Sequence, residues 1–233
     1  MVSPRRLSPI AGWRWIVGGF ELHRRSPVMW TVMVLLYFVV SIAVALIPLI
    51  GVLVYPLVSV LLFGGLMAGC AVLDAGRPLG LRLLLSGLRR RPTGLVLAGG
   101  FYLIGNFLVS LFAMIGLVAV VGDVGAALLP EVAGENLLPV IAIMLMAFLC
   151  LLLLTMAIWF APVLIIRHEI TSLVAMRLSF TACTRNLAAV MVWGLVALVG
   201  AVLGLLTAGL GLLLVVPTLI ASTYVAYRAI LAA

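Results

Sequence analysis

A 233-residue chain that is 67% hydrophobic and 9% charged, with a mean hydropathy of +1.43, is excluded from the soluble globular class, where about 25% of residues are charged. The net charge of +8 rests on 14 basic residues, all of them arginine. Their placement in clusters between long apolar stretches argues for anionic phospholipid as the partner of the basic face, and against nucleic acid.

The chain opens on Arg5, Arg6, Arg14, Arg24 and Arg25. Within residues 12–25, Trp13, Ile16, Val17 and Phe20 recur at i, i+3, i+4 and i+7, one face of a helix. This predicts an amphipathic helix at the membrane interface, with Trp13 and Trp15 as interfacial contacts. The basic start runs straight into Trp13-Arg14-Trp15, and the apolar stretch continues well past Ala43-Val44-Ala45, so no cleavable signal peptide is read.

Residues 26–73 then carry no charge. A hydrocarbon core about 30 Å thick takes about 20 helical residues at 1.5 Å each, so this stretch crosses twice. It turns at Pro48-Leu49-Ile50-Gly51, which gives helices at about 28–47 and 52–73. Arg77, Arg82, Arg89, Arg90 and Arg91 follow, the last four within a second amphipathic segment, 79–91. The uncharged stretches 92–122 and 136–166 cross once each, as helices at 93–121 and 138–166. Between them, 123–135 bears only Asp123, Glu131 and Glu135. Arg167, Arg177 and Arg185 come next, with a third segment at 172–185. The last uncharged stretch, 186–227, turns at Ala208-Gly209-Leu210-Gly211 and gives helices at 187–207 and 211–230, followed by Arg228. Six crossings gather every arginine on one side, together with Glu21, Asp74 and Glu169. That face is read as cytoplasmic, and both termini with it.

The fold class is therefore an all-α integral membrane protein, one domain over 1–233. The three segments also repeat. At an offset of 68, Trp13, Ile16, Val17 and Phe20 become Leu81, Leu84, Leu85 and Leu88, and Gly19-Phe20 becomes Gly87-Leu88. At an offset of 160 the third copy keeps Leu173, Met176 and Ser179-Phe180. The second helix of each hairpin carries one proline: Pro56, Pro162 or Pro217. The predicted architecture is three repeats of interfacial helix plus transmembrane hairpin, with units at about 11–73, 79–166 and 172–230.

Several of these segments carry a resemblance: Gly12-Trp13-x-Trp15-Ile16-x-x-Gly19-Phe20 with its basic ending before Pro27, the Pro48-Leu49-Ile50-Gly51 turn, Trp159-Phe160-Ala161-Pro162, Ser179-Phe180 followed by Asn186, and Tyr224-x-x-Tyr227-Arg228. Over nearly the whole chain the pattern resembles the BPSS-type family of uncharacterised proteobacterial transmembrane proteins. More distantly it resembles the membrane domain attached to some glycerophosphodiester phosphodiesterases. The resemblance implies a bacterial inner membrane location and assigns no catalytic or binding residue.

Signatures of chemistry are sparse. The chain has no His-Glu-x-x-His, no phosphate-binding glycine loop, no nucleophile elbow and no cofactor motif, so it is read as non-enzymatic, with no cofactor. His23, Cys70, His168 and Cys183 share no ligand spacing, and no metal is expected. The three cysteines are read as packing residues. Arg167-His168-Glu169 reads as a charged stop at the membrane surface. Asn106 is the most polar side chain inside a span and is expected to make an interhelical hydrogen bond in preference to a substrate contact. Gly65-x-x-x-Gly69 and Gly200-x-x-x-Gly204 permit close helix approach, within the bundle by preference. The arginine-only usage fits either phosphate recognition or a GC-rich genome.

The leading functional reading is a protein that handles or organises lipid or an amphiphile at its cytoplasmic face. The headgroup contacts would be Arg14, Arg24, Arg25, Arg82, Arg89, Arg90 and Arg91. Two other classes stay open: a small transporter or channel, and an accessory subunit or homo-oligomer docking through its apolar surface.

Overall fold

The structure, a computed structural model, describes residues 3–48, 50–122 and 136–231, with only the main chain of Val52. The predicted acidic connection, 123–135, lies outside the described residues. Among those that are described, the regular structure is entirely helical. In chain order it comprises α1 (Ala11–Arg24), α2 (Pro27–Ala45), α3 (Ile50–Asp74), a 3₁₀ turn (Leu81–Leu83), α4 (Ser86–Arg90), α5 (Pro92–Val121), α6 (Leu137–Trp159), α7 (Ala161–His168), α8 (Ser172–Arg185), α9 (Leu187–Leu206) and α10 (Leu212–Leu231). Six helical spans are long and apolar enough to cross a membrane, with α6 and α7 acting together as one.

Local sequence explains where the helices start and stop. Pro27 and Pro92 occupy the first positions of α2 and α5, where a missing N–H costs nothing. The first hairpin turns between Leu46 and Ile50, with Gly51 so close to the Val44 and Ala45 carbonyls that a side chain would not fit. The last turns through Ala208 and Gly209, both left-handed, with Gly209 at φ +83°. Both turns therefore fall where the sequence places them. The middle hairpin is the long one: α5 has 30 residues and α6 with α7 spans 32, against 19 to 22 for the other spans.

The second helices of the first and last hairpins, together with the short α7, form the centre, whereas the spanning window of α6 and α7 is only 6% buried. In α3, 61% of the spanning window is buried, and in α10, 50%, against 6% in α5 and 11% in α9. Every residue of α7 from Ala161 to Ile166 is buried as well. Outward-facing apolar side chains, such as Phe107, Leu138 and Leu198, cover the rest. Lipid tails are as apolar as these side chains, so their exposure has no hydrophobic cost in a bilayer.

The connecting helices pack onto these central spans through small residues. α1 lies across α10, where a Cβ on Gly19 would come within 2.6 Å of the Thr218 carbonyl oxygen, and Gly12 abuts the Ala189 carbonyl of α9. The 3₁₀ turn and α4 lie on α3: Gly65 receives the Leu84 main chain, and Gly87 faces the Leu61 carbonyl. α8 packs on α6 and α7. The Gly65 and Gly204 contacts are intramolecular, Gly204 meeting Leu212 across the last hairpin.

Three expectations are corrected. Segment 79–91 is not one helix, because the Leu84 main chain is pressed onto Gly65, and the chain breaks at Leu84-Leu85 before resuming at Ser86. Trp15 is no interfacial contact: it is 2% exposed and packs in the core. Asn106 bonds within its own helix, its Nδ2 donating to the Tyr102 carbonyl at 2.8 Å.

The fourth span is broken at Phe160, and α8 mends the break. Pro162 has no N–H, so the helical ladder is interrupted there. Ser179 Oγ accepts from the Phe160 N–H at 3.0 Å and donates to the Met156 carbonyl at 2.7 Å. One buried hydroxyl thus bridges the donor and acceptor that an unbroken helix would pair directly.

Candidate functional site

The packing brings the arginine clusters to one end of the bundle through four ties. Arg25 donates to the Leu73 carbonyl at 3.1 Å, and Arg228 pairs with Asp74. Arg91 pairs with Glu169. Asn186 holds the N-terminal segment against the start of α9: its Nδ2 donates to the Arg5 carbonyl at 2.9 Å and its Oδ1 accepts from the Leu7 N–H at 2.8 Å. Asn186 is 2% exposed, and this clamp explains why a polar side chain opens an apolar helix.

Of the seven predicted headgroup arginines, Arg14, Arg24, Arg82, Arg89 and Arg90 are exposed and pair with no carboxylate among the described residues. Arg25 and Arg91 are partly engaged by protein, as above. Arg25 also lines a cleft of about 390 Å³ with Glu21, Asp74, Tyr224 and Arg228, enclosed by α1 and the ends of α3 and α10. Tyr224 Oη lies 3.4 Å from Asp74 Oδ2. Sequence reading missed this cleft. Its only signals were a lone carboxylate at the end of a span and Tyr224-x-x-Tyr227-Arg228.

The predicted apolar face of α1 is used on both sides. Trp15, Gly19, Leu22 and His23 are buried against the bundle. Trp13, Ile16, Val17 and Phe20 instead line an apolar groove of about 300 Å³ with Val196, Gly200, Leu214 and Val215 of the last hairpin. An apolar groove along α1 therefore accompanies the unpaired arginines of the same segment.

His23 is buried, and burial pulls its pKa below the usual histidine value. His168 Nε2 lies 2.7 Å from Tyr227 Oη, joining the end of α7 to α10. Cys183 is a buried free thiol pushed up to about 12 by burial, with its Sγ 3.6 Å from the Met156 carbonyl oxygen. Cys183 is fully buried, as a packing residue is. Among the described residues, no three His, Cys, Asp or Glu side chains come together as a metal site.

No family model and no solved structure matches the chain. A probable inner membrane protein of Burkholderia thailandensis is 28% identical over 201 residues, which cover 81% of this chain and 73% of that protein. This similarity and the six apolar spans together support a multi-pass, all-helical protein of the inner membrane.

Proposed function

We propose that this protein is non-enzymatic and binds or organises anionic phospholipid, or an amphiphile with the same headgroup chemistry, at its arginine-bearing face. The observation that carries the reading is the set of exposed guanidiniums at Arg14, Arg24, Arg82, Arg89 and Arg90, without carboxylate partners among the described residues, beside an apolar groove along α1. A guanidinium fork holds a phosphate bidentately, and near a membrane surface each such charge contributes about 1 kcal/mol. The face is cytoplasmic in this reading, with both termini on that side, as the arginine bias requires.

The same reading takes the chain as one domain of three repeats, closed in a ring. The supporting contacts are cyclic: α4 packs on α3, α8 on α6 and α7, and α1 on α10. Gly19, Gly87 and Ser179, equivalent in the repeat, each meet a main-chain carbonyl of a proline-bearing span of another unit. Membership of the BPSS-type family, and the more distant kinship with phosphodiesterase membrane domains, belong to this proposal as well.

The test replaces Arg89 and Arg90 by Gln and leaves the Arg91–Glu169 pair intact. After cysteine labelling shows unchanged topology, native mass spectrometry compares retained phosphatidylglycerol and cardiolipin. Loss of retained anionic lipid supports the proposal. Unaltered retention leaves these arginines an orienting role only and overturns it.

A further inference from the structure

A second site lies at membrane depth, away from every arginine. Tyr37 of α2, Tyr55 and Ser59 of α3, Tyr102 of α5, and Thr155 and Trp159 of α6 line a cleft of about 270 Å³. Tyr37 and Tyr102 each lie ten residues beyond the prolines that open their helices, Pro27 and Pro92. At 1.5 Å per residue that is about 15 Å, half the thickness of the hydrocarbon core. Tyr55 lies five residues into α3, about 7 Å from the hairpin turn, so three phenols from three different spans line a cleft that reaches from the middle of the bilayer toward the side away from the arginines.

The chemistry of the lining selects the ligand. No lining residue is charged, and a charged headgroup at this depth would need a counter-charge. Ser59 and Thr155 already donate to carbonyls of their own helices, Pro56 and Leu151, and Trp159 Nε1 donates to Thr223. The Tyr55 and Tyr102 hydroxyls make no hydrogen bond to any described residue. The cleft therefore offers free phenol donors and flat aromatic walls, in a medium without water to satisfy them. Its complement is an uncharged ring bearing carbonyl acceptors. A volume just below the range for drug-sized ligands fits one ring without its tail. Tyr55 is 41% exposed, so the cleft opens on the lipid side, where a tail would lie.

We propose that this cleft binds the head of a membrane-dissolved quinone, with the Tyr55 and Tyr102 hydroxyls donating to its carbonyl oxygens and the tail in the bilayer. The site is a binding site only, and it is independent of the arginine-bearing face.

The experiment measures equilibrium binding of a tritiated decyl-tailed benzoquinone to the full chain in quinone-free phosphatidylcholine nanodiscs. Saturable binding of one ligand per protein is expected. It should weaken about tenfold in Tyr102→Phe or Tyr55→Phe, each of which removes a hydroxyl and keeps the ring. The exposure of Tyr55 makes its variant the one that folds whatever the packing at Tyr102. Decylbenzene, which lacks carbonyls, should not compete, and Arg89→Gln with Arg90→Gln should bind as the wild type does. Absence of a saturable component, or wild-type affinity in both tyrosine variants, overturns the proposal. Equal competition by decyltrimethylammonium also overturns it, because the aromatic walls would then be serving a cation.

Discussion

Replacing Ser179 by Ala removes the hydroxyl that spans the break in the fourth transmembrane segment. Ser179 is fully buried, and its Oγ satisfies both the Phe160 N–H and the Met156 carbonyl. Interhelical hydrogen bonds in membranes average about 0.6 kcal/mol and reach about 1.7. Leaving a buried donor or acceptor unpaired costs about 1–3 kcal/mol. Two such groups are at stake, but Cys183 Sγ lies 3.6 Å from the same Met156 oxygen and can take over part of the acceptor's need. The expected loss is therefore about 2 kcal/mol, and it should grow when Cys183 is also replaced by Ala. Reversible unfolding in mild detergent, titrated with sodium dodecyl sulfate and followed by helical circular dichroism, measures it. Thr184→Ala is the control: its exposed hydroxyl bonds only to carbonyls of its own helix, so its loss should stay within about 0.5 kcal/mol. If Ser179→Ala is as stable as Thr184→Ala, the helix closes its own ladder across Phe160 and the bridge is incidental.

Other expectations follow from the same contacts. Gly19→Val should cut the yield of folded protein sharply, since its Cβ would meet the Thr218 carbonyl and the Ser222 N–H at 2.6 Å, whereas Gly100→Ala, with nothing within 4 Å, should fold normally. Single cysteines placed within 75–91 or 168–185 should be labelled only from the cytoplasm, and one at Leu210 only from outside; external labelling within 75–91 would reject the six-span orientation. His23, with its pKa lowered by burial, makes the protein bind fewer protons folded than unfolded just below the ordinary histidine value of 6.5. Stability should thus be whole above that pH and fall as pH drops toward the folded pKa. His23→Gln should flatten that part of the profile, and an unchanged slope would show that another group sets it.

Much of the architecture was legible because the bilayer constrains it through length and charge. Uncharged stretches of known length must cross once or twice, and glycine and proline mark where the first and last hairpins turn. This is why the helices begin and end within a few residues of their predicted bounds, and why the excess length of the middle hairpin was visible beforehand. What the tertiary structure alone decided is which face of each helix is used. In a chain this apolar, nearly every side chain is compatible with either lipid or core, so periodicity loses its power to discriminate. Trp13 and Trp15 illustrate this: two residues apart, one is half exposed and the other buried, because α1 lies across α10 and not flat on a free interface. Ser179, Asn186 and the tyrosine cleft were equally hidden. Each gains its role from a main chain or a ring far away in sequence, and only the packing of the spans brings those groups within reach.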